Sequence, residues 1–369
     1  MSLEQLAVRC WSSAVAGGGG GFLAAVLRAL LSALSYPYGA SVKLRNFLYD
    51  HQVWMFKTVR LPVAVVSVGN IAVGGTGKTP FVALLAGRLE AMGRRPCILS
   101  RGYGPKREAA QNDEYLMLRE LLPEVPHLVG KERLLTGLQA ILQFHPEVLI
   151  LDDGFQHRKL ARNLDIVLVD ALQPLGLGHL LPRGRLREPA GELRRADLIC
   201  LTHSDLVEPG RLEEMRERVR RVAPAVSILE AQHQPRRLRP VLPRGDGQPP
   251  EALAGKRVAV FCALGSPESF MAQVRRLGAD IVHQALFPDH YRLSAPELAR
   301  LFADAGKAQA ELLVCTHKDA VKLPRDLSPP MPVLALEMEM VILRGEEQLE
   351  KVLAGLPAPI SLKQYTLHL

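Results

Sequence analysis

Aromatic side chains make up only 5% of the 369 residues. No basic run is interleaved with them, so a stacking platform for single-stranded nucleic acid is not expected. The five cysteines (Cys10, Cys97, Cys200, Cys262 and Cys315) are odd in number, far apart and form no C-x-x-C. That pattern excludes a disulfide framework and a zinc site, and it reads as reduced core thiols of a cytosolic protein. Internal repeats are absent, and low complexity is confined to Gly17–Gly21. The apolar stretch at 22–34 (FLAAVLRALLSAL) is too short to cross a membrane. Thirteen helical residues reach ~20 Å, against ~30 Å of bilayer hydrocarbon.

What is present begins with an ordinary globular balance, 48% hydrophobic and 23% charged. The length favours two domains. A net charge of +8 favours an anionic partner such as a nucleotide, a phosphorylated substrate or an anionic membrane.

Residues 63–80, VAVVSVGNIAVGGTGKTP, organise the rest. A β-branched apolar run is followed by a glycine-rich turn, then Lys78-Thr79, then a helical pattern, and this order is that of a P-loop. Gly74, Gly75, Thr76 and Gly77 would let backbone N–H groups close around phosphate oxygens at a helix N-terminus. Lys78 would reach the β- and γ-phosphates, and the Thr79 hydroxyl would ligate Mg²⁺. Ala72 stands where the pattern has glycine. The flexibility of Gly74 and Gly75 makes this a tolerated variant.

A second apolar strand, EVLILDDG, ends in Asp152 and Asp153. Two adjacent carboxylates at a buried strand end suit delivery of an aspartate to Mg²⁺ beside Thr79, the Walker B arrangement. Gln156 and His157 add polar groups at the same sheet edge, and Arg101 ends the strand RPCILS. Asp113-Glu114 opens a helix, where two acids also serve capping and the helix dipole. His290, in FPDHY, read alone is a hydrogen-bonded structural histidine. Arg183, Arg185 and Arg187 project from the Pro/Gly-broken LLPRGRLREP and suit contacts to phosphate or an anionic surface.

Strand–helix alternation implies a mostly parallel sheet with helices on both faces, a P-loop α/β fold, followed by a second, smaller α/β domain. The expected boundaries are a membrane-associating segment over 1–60, a P-loop core over 61–230, a Pro/Gly/Arg-dense connection over 231–252 and the second domain over 253–369. In the N-terminal segment, Leu23, Val26, Leu27, Leu30, Leu31 and Leu34 share one helical face, with Arg28 and Ser32 opposite. Basic residues and rings follow (Lys43, Arg45, Tyr49, Trp54). This describes a helix lying in a membrane interface. The alternatives are a signal peptide, disfavoured by Glu4, and a helix packed on the protein's own core.

The residues alone leave two classes. One is a kinase acting on an amphiphile hydroxyl at a membrane. The other is a P-loop GTPase or ATPase switch, including metallochaperone-type proteins. A guanine reader favours [NT]-K-x-D, and Thr202-His203-Ser204-Asp205 lacks the lysine.

Taken together, VGNIAVGGTGKTP, SRGYG, Asp113-Glu114, LDDGFQHR, LLPRGRLREP, FPDHY and THKDAVKL resemble the tetraacyldisaccharide 4′-kinase family, the lipid A 4′-kinases of Gram-negative bacteria. The match runs from about Tyr36 to Leu343. The resemblance implies ATP and Mg²⁺ as cofactors and two α/β domains with the site between them. It implies transfer to the 4′-hydroxyl of an acylated disaccharide 1-phosphate at the cytoplasmic face of the inner membrane, with no nucleic acid and no obligate protein partner. It also pairs Asp113 with His290 as a dyad activating the hydroxyl, beside Lys78, with Arg101, Arg187 and Glu188 as further site members. The chain departs from the family pattern at Asn112, Tyr115, Asn163 and His317, and Arg183 and Arg185 make one segment more basic. These arginines suit the substrate's 1-phosphate or acidic lipids.

Overall fold

A computed structural model describes residues 22–102, 113–242, 245–264, 267–288, 291–324, 327–360 and 365. In chain order these form α1 Phe22–Asp50, β1 Ala64–Asn70, α2 Lys78–Ala91, β2 Pro96–Ser100, α3 Asp113–Leu121, β3 His127–Val129, α4 Arg133–Phe144 and β4 Val148–Asp152. Next come β5 Leu164–Asp170, β6 Leu198–Thr202, α5 Pro209–Val222, β7 Ser227–Leu242, β8 Arg257–Ala263, α6 Pro267–Arg276 and β9 Asp280–Phe287. The last are α7 Ala295–Lys307, β10 Leu312–Thr316, α8 His317–Ala320, β11 Val333–Arg344 and α9 Glu346–Ala354.

The chain divides into two compact units. The first comprises residues up to Arg101, Val125–Gln232 and Ile342 onward; the second comprises Gly102–Glu124 and His233–Val341. These limits differ from the sequence boundaries. The second unit includes α3, and the first takes back the C-terminal helix α9, which Arg88 of α2 holds through Glu346 and Glu350. Ion pairs between residues so distant in sequence leave no local signal.

In the first unit the strand order is β3-β2-β4-β1-β5-β6-β7, every pair parallel. β1, β2, β4 and β6 are buried along their whole length. That is why they read as unbroken apolar runs, as strands covered on both faces do. Cores of Val65, Leu99, Leu149 and Ile141 on one side, and of Val167, Ile199, Leu201 and Val219 on another, pin the sheet between helices. The Cys97 thiol is buried in this unit, and burial pushes it up to about 12, so it packs as an apolar side chain. Cys10 lies outside the described residues.

In the second unit β11, β10, β8 and β9 form consecutive parallel pairs. The stretch 231–252, expected as a connection, is largely the end of the sixteen-residue strand β7. Its arginines are neutralised by carboxylates on β11, which leaves no local signal of a strand. Arg237 and Arg239 both bond Glu337, and Gln234 donates to Glu339 at 3.0 Å.

Helix α1 also exceeds its expected length, running 29 residues through Pro37. The lost backbone bond at proline is offset beyond it, where Val42 and Asn46 are buried against the body of the unit. Its exposed stripe is Phe22, Val26, Leu30 and Leu34. Leu27 and Leu31 turn inward, half-buried beside Arg28 and Ser32, so the expected apolar and polar faces do not separate as drawn. Ser32 and Ser35 hydroxyls donate to the carbonyls of Arg28 and Leu31 at 2.7 and 2.9 Å, which removes their polarity from the exposed side. Among the described residues no helix is long and apolar enough to cross a membrane.

One close approach sets the geometry of the sheet edge. A Cβ on Gly69 would meet Phe155 Cβ at 2.5 Å and its backbone N at 2.7 Å, and a Cβ on Gly154 would meet Ser67 Oγ at 2.7 Å. The P-loop strand and the Asp152-Asp153 turn pack this tightly only because both positions are glycine. Gly69→Ala should therefore destabilise the chain by about 1–3 kcal/mol, read as a lower urea midpoint; an unchanged midpoint would show that the turn relaxes freely.

Candidate active site

The loop after β1 begins as a strand partner. Ala72 bridges antiparallel to Leu186, with Val73 N–H donating to Arg185 O at 2.8 Å and Arg187 N–H to Ile71 O at 2.7 Å. Ala72 is not among the positive-φ residues, so glycine is not needed there. The conformational demand falls on Gly74 and Gly77, with φ of 135° and 79°. Asn70 Nδ2 donates to Thr76 Oγ1 at 3.0 Å, and Gln156 Nε2 donates to the Asn70 carbonyl at 2.8 Å, tying the loop to the opposite turn. Helix α2 starts at Lys78 with no side-chain cap, which leaves its first N–H groups available to an anion.

β4 sets Asp152 in register with Val68 of β1, buried at the strand's C-terminal end. The next residue, Asp153, takes the left-handed conformation at φ 55°, a strained choice for a non-glycine. That turn presents its carboxylate to two cations. Arg187 Nη1 donates to both carboxylate oxygens at 2.9 Å, and Lys78 Nζ lies 3.7 Å from Oδ1. Burial works against ionisation of Asp153, but Lys78 and Arg187 outweigh it and hold the carboxyl below its ordinary value.

Arg133, which no motif picked out, is buried and donates Nη2–H to the Asp152 carbonyl at 3.1 Å. No local pattern marks it; only the fold brings α4 to β4. His157 is kept neutral, its pKa lowered to about 4 by burial first and then by Arg133 and other cations, Arg101 among them. Its Nε2 is buried without a hydrogen-bond partner among the described residues. Glu188 is fully buried and bonded by Arg45 of α1 and by Arg195, so it braces the segment. Tyr38 of α1 donates its hydroxyl to the Arg187 carbonyl at 2.8 Å. His203 shares a 2.9 Å hydrogen bond with Asp170, and so occupies the third-from-last place of the Thr202–Asp205 segment with a carboxylate partner of its own.

In the second unit Asp113 opens α3 as a buried carboxylate. Lys322 Nζ lies 3.4 Å from its Oδ2 and 2.9 Å from Asp319, and Arg292 stands 3.8 Å away. Lys322 belongs to THKDAVKL but had no assigned role. His290 lies outside the described residues. Two of the departures from the family pattern have local explanations. Asn163 Oδ1 accepts the Val65 N–H at 2.9 Å, a bond an amide makes as well as a carboxylate. His317 is buried with Nε2 2.9 Å from Glu120 and Nδ1 4.0 Å from Glu337.

A parallel sheet whose first strand ends in an uncapped helix start, with a lysine and an arginine facing tandem aspartates, defines a P-loop phosphoryl-transfer protein. The comparisons narrow this. The family model described as tetraacyldisaccharide-1-P 4′-kinase matches residues 27–357. A tetraacyldisaccharide 4′-kinase of Anaeromyxobacter sp. (strain K) is 40% identical over 360 residues, 92% of this chain and 94% of that protein. One from Syntrophus aciditrophicus is 40% identical over 333 residues, 84% of this chain and 88% of that protein. A crystal structure of LpxK from Aquifex aeolicus in complex with ATP aligns with a TM-score of 0.68 at 32% identity, covering 89% of this chain and 99% of that one. The chain belongs to the tetraacyldisaccharide 4′-kinase family.

The neutral His157 has a pH consequence. Between pH 6.5 and about 4 the unfolded chain binds a proton that the folded chain refuses, so its contribution to stability falls as pH drops through that window. The melting temperature of His157→Gln should decline less steeply than that of wild type from pH 6.5 to 4; parallel declines would contradict the buried neutral state.

Proposed function

We propose that the chain transfers the γ-phosphoryl group of ATP to the 4′-hydroxyl of a tetraacyl disaccharide 1-phosphate at the cytoplasmic face of a membrane. The observation that carries this is the Lys78–Asp153–Arg187 cluster beside the uncapped P-loop helix, in a chain of this family. Lys78 would offset charge on the transferring phosphoryl, and the helix start with Gly74–Gly77 would hold the phosphates. Thr79 and Asp152 are the donors that fit Mg²⁺, which takes one or two protein oxygens and keeps phosphate and water for the rest. Asp152 ends β4 in register with Val68 of the P-loop strand, which favours it for that task. Bound there, the ion would supply charge neutralisation at the β- and γ-oxygens. His290 would accept the hydroxyl proton, with Asp113 orienting it, and Arg101 and Gln156 are assigned to substrate contacts.

The membrane surface is assigned to α1. Its exposed residues Phe22, Val26, Leu30 and Leu34, with Leu44, Phe47, Trp54 and Met55 further on, suit a helix seated at the boundary between headgroups and acyl chains.

Two experiments test the reading. With γ-labelled ATP and an acylated disaccharide 1-phosphate, wild type should label the lipid, and Lys78→Ala should transfer at least about 10²-fold more slowly. Transfer that persists in Lys78→Ala would reject the role of the loop. In co-sedimentation with anionic liposomes, Leu30→Glu with Leu34→Glu should shift the chain to the supernatant; unchanged pelleting would remove α1 as the anchor.

A further inference from the structure

Arg185 and Arg187 stand two residues apart on a segment that pairs antiparallel with 71–73 of the P-loop. Side chains alternate along such a ladder. Leu186, between them, turns into the apolar core and is almost fully buried. Arg185 therefore projects on the same side as Arg187, the side on which Asp153 and Lys78 meet. A methyl group added at Gly74 would come to 3.9 Å from Arg185 Nη1, so the guanidinium lies over the middle of the loop.

Its partners separate it from its neighbour. Arg187 is neutralised by Asp153, whereas Arg185 donates Nη1–H to Gln173 Oε1, a neutral acceptor, and forms no ion pair among the described residues. Gln173 aims the guanidinium without consuming its charge. The backbone on both sides is fixed as well, with Arg185 N–H donating to Gly176 O at 3.0 Å and its carbonyl taking the Val73 N–H. A half-buried guanidinium, held in place and electrostatically unspent beside the glycine turn of a P-loop, is suited to an anion that is absent from the protein itself.

We propose that Arg185 is an arginine finger supplied in cis, donating to the γ-phosphate oxygens of the nucleotide. The inference rests on the ATP-dependent reading above and replaces a lipid-phosphate role for this residue. As the bond between the γ-phosphorus and the ADP oxygen breaks and a bond to the acceptor hydroxyl forms, charge shifts over the equatorial oxygens. A guanidinium already held in place and aimed at that position stabilises the transition state more than the bound substrate. Lys78 and Arg185 would then meet the terminal phosphate from two directions.

The test uses the full chain and compares three variants with wild type. Equilibrium binding is measured for a non-hydrolysable ATP analogue and for ADP, with steady-state transfer to the lipid acceptor. For Arg185→Ala the analogue should bind about tenfold or more weakly while ADP binding changes little, and kcat should fall on the order of 10²-fold. Arg185→Lys should recover part of the loss, and Gln173→Ala should weaken the analogue but not ADP. If Arg185→Ala fails to fold by circular dichroism, Arg185→Lys and Gln173→Ala decide the matter through the same analogue-to-ADP ratio. Equal losses for the analogue and ADP, unchanged kcat and binding, or a rise confined to KM for the lipid would each overturn the inference. Wild type that binds the analogue and labels the lipid keeps the kinase reading intact in those cases; wild type that binds no nucleotide overturns both.

Discussion

The Asp153 carboxylate joins three segments that are far apart in the chain. Its turn follows β4, Lys78 starts α2, and Arg187 comes from the strand-like segment that pairs with the P-loop. Burial of a carboxylate is tolerable only because two cations face it. The same requirement fixes where both cations stand before any ligand arrives. That is the pre-organisation that phosphoryl transfer demands, since fixed charges need not reorganise as the reaction proceeds.

The arrangement reaches outward to α1. Tyr38 holds the Arg187 carbonyl, and Arg45 holds the fully buried Glu188 together with Arg195. Ser35 Oγ lies 3.1 Å from the Leu180 carbonyl oxygen and accepts the Arg183 N–H at 3.1 Å. The inner half of α1 is thus a brace for the segment carrying the site arginines, while its outer half leaves an apolar stripe to the surroundings. One helix serves two purposes because Ser35, Tyr38 and Arg45 turn inward while Phe22, Val26, Leu30 and Leu34 stay exposed.

The departure from the P-loop pattern at Ala72, and those from the family pattern at Asn163 and His317, are locally consistent. Ala72 occupies a position in the P-loop that has become a ladder residue, where a Cβ is harmless. Asn163 keeps the acceptor that Val65 requires. His317 fits between Glu120 and Glu337, with Arg239 bonding both glutamates.

Strands buried on both faces were legible because they must be apolar throughout: β1, β2 and β4 all announce themselves. The P-loop and tandem aspartates were legible too, since glycine conformations and paired carboxylates have no cheap structural substitute. Strand β7 was hidden because its charges are matched on β11, a hundred residues later, and β3 because three residues carry too little pattern. Arg133 belongs to no motif, and Lys322 lies in THKDAVKL without a role there; burial and a facing acidic or carbonyl group give them meaning. The sequence by itself thus determined the class of fold and the nucleotide loop, features written in local conformation and short-range polarity. Tertiary structure alone decided which cations are spent on Asp153 and Glu188 and which, like Arg185, keep their charge, because neutralisation depends on distances between segments that the chain order does not contain.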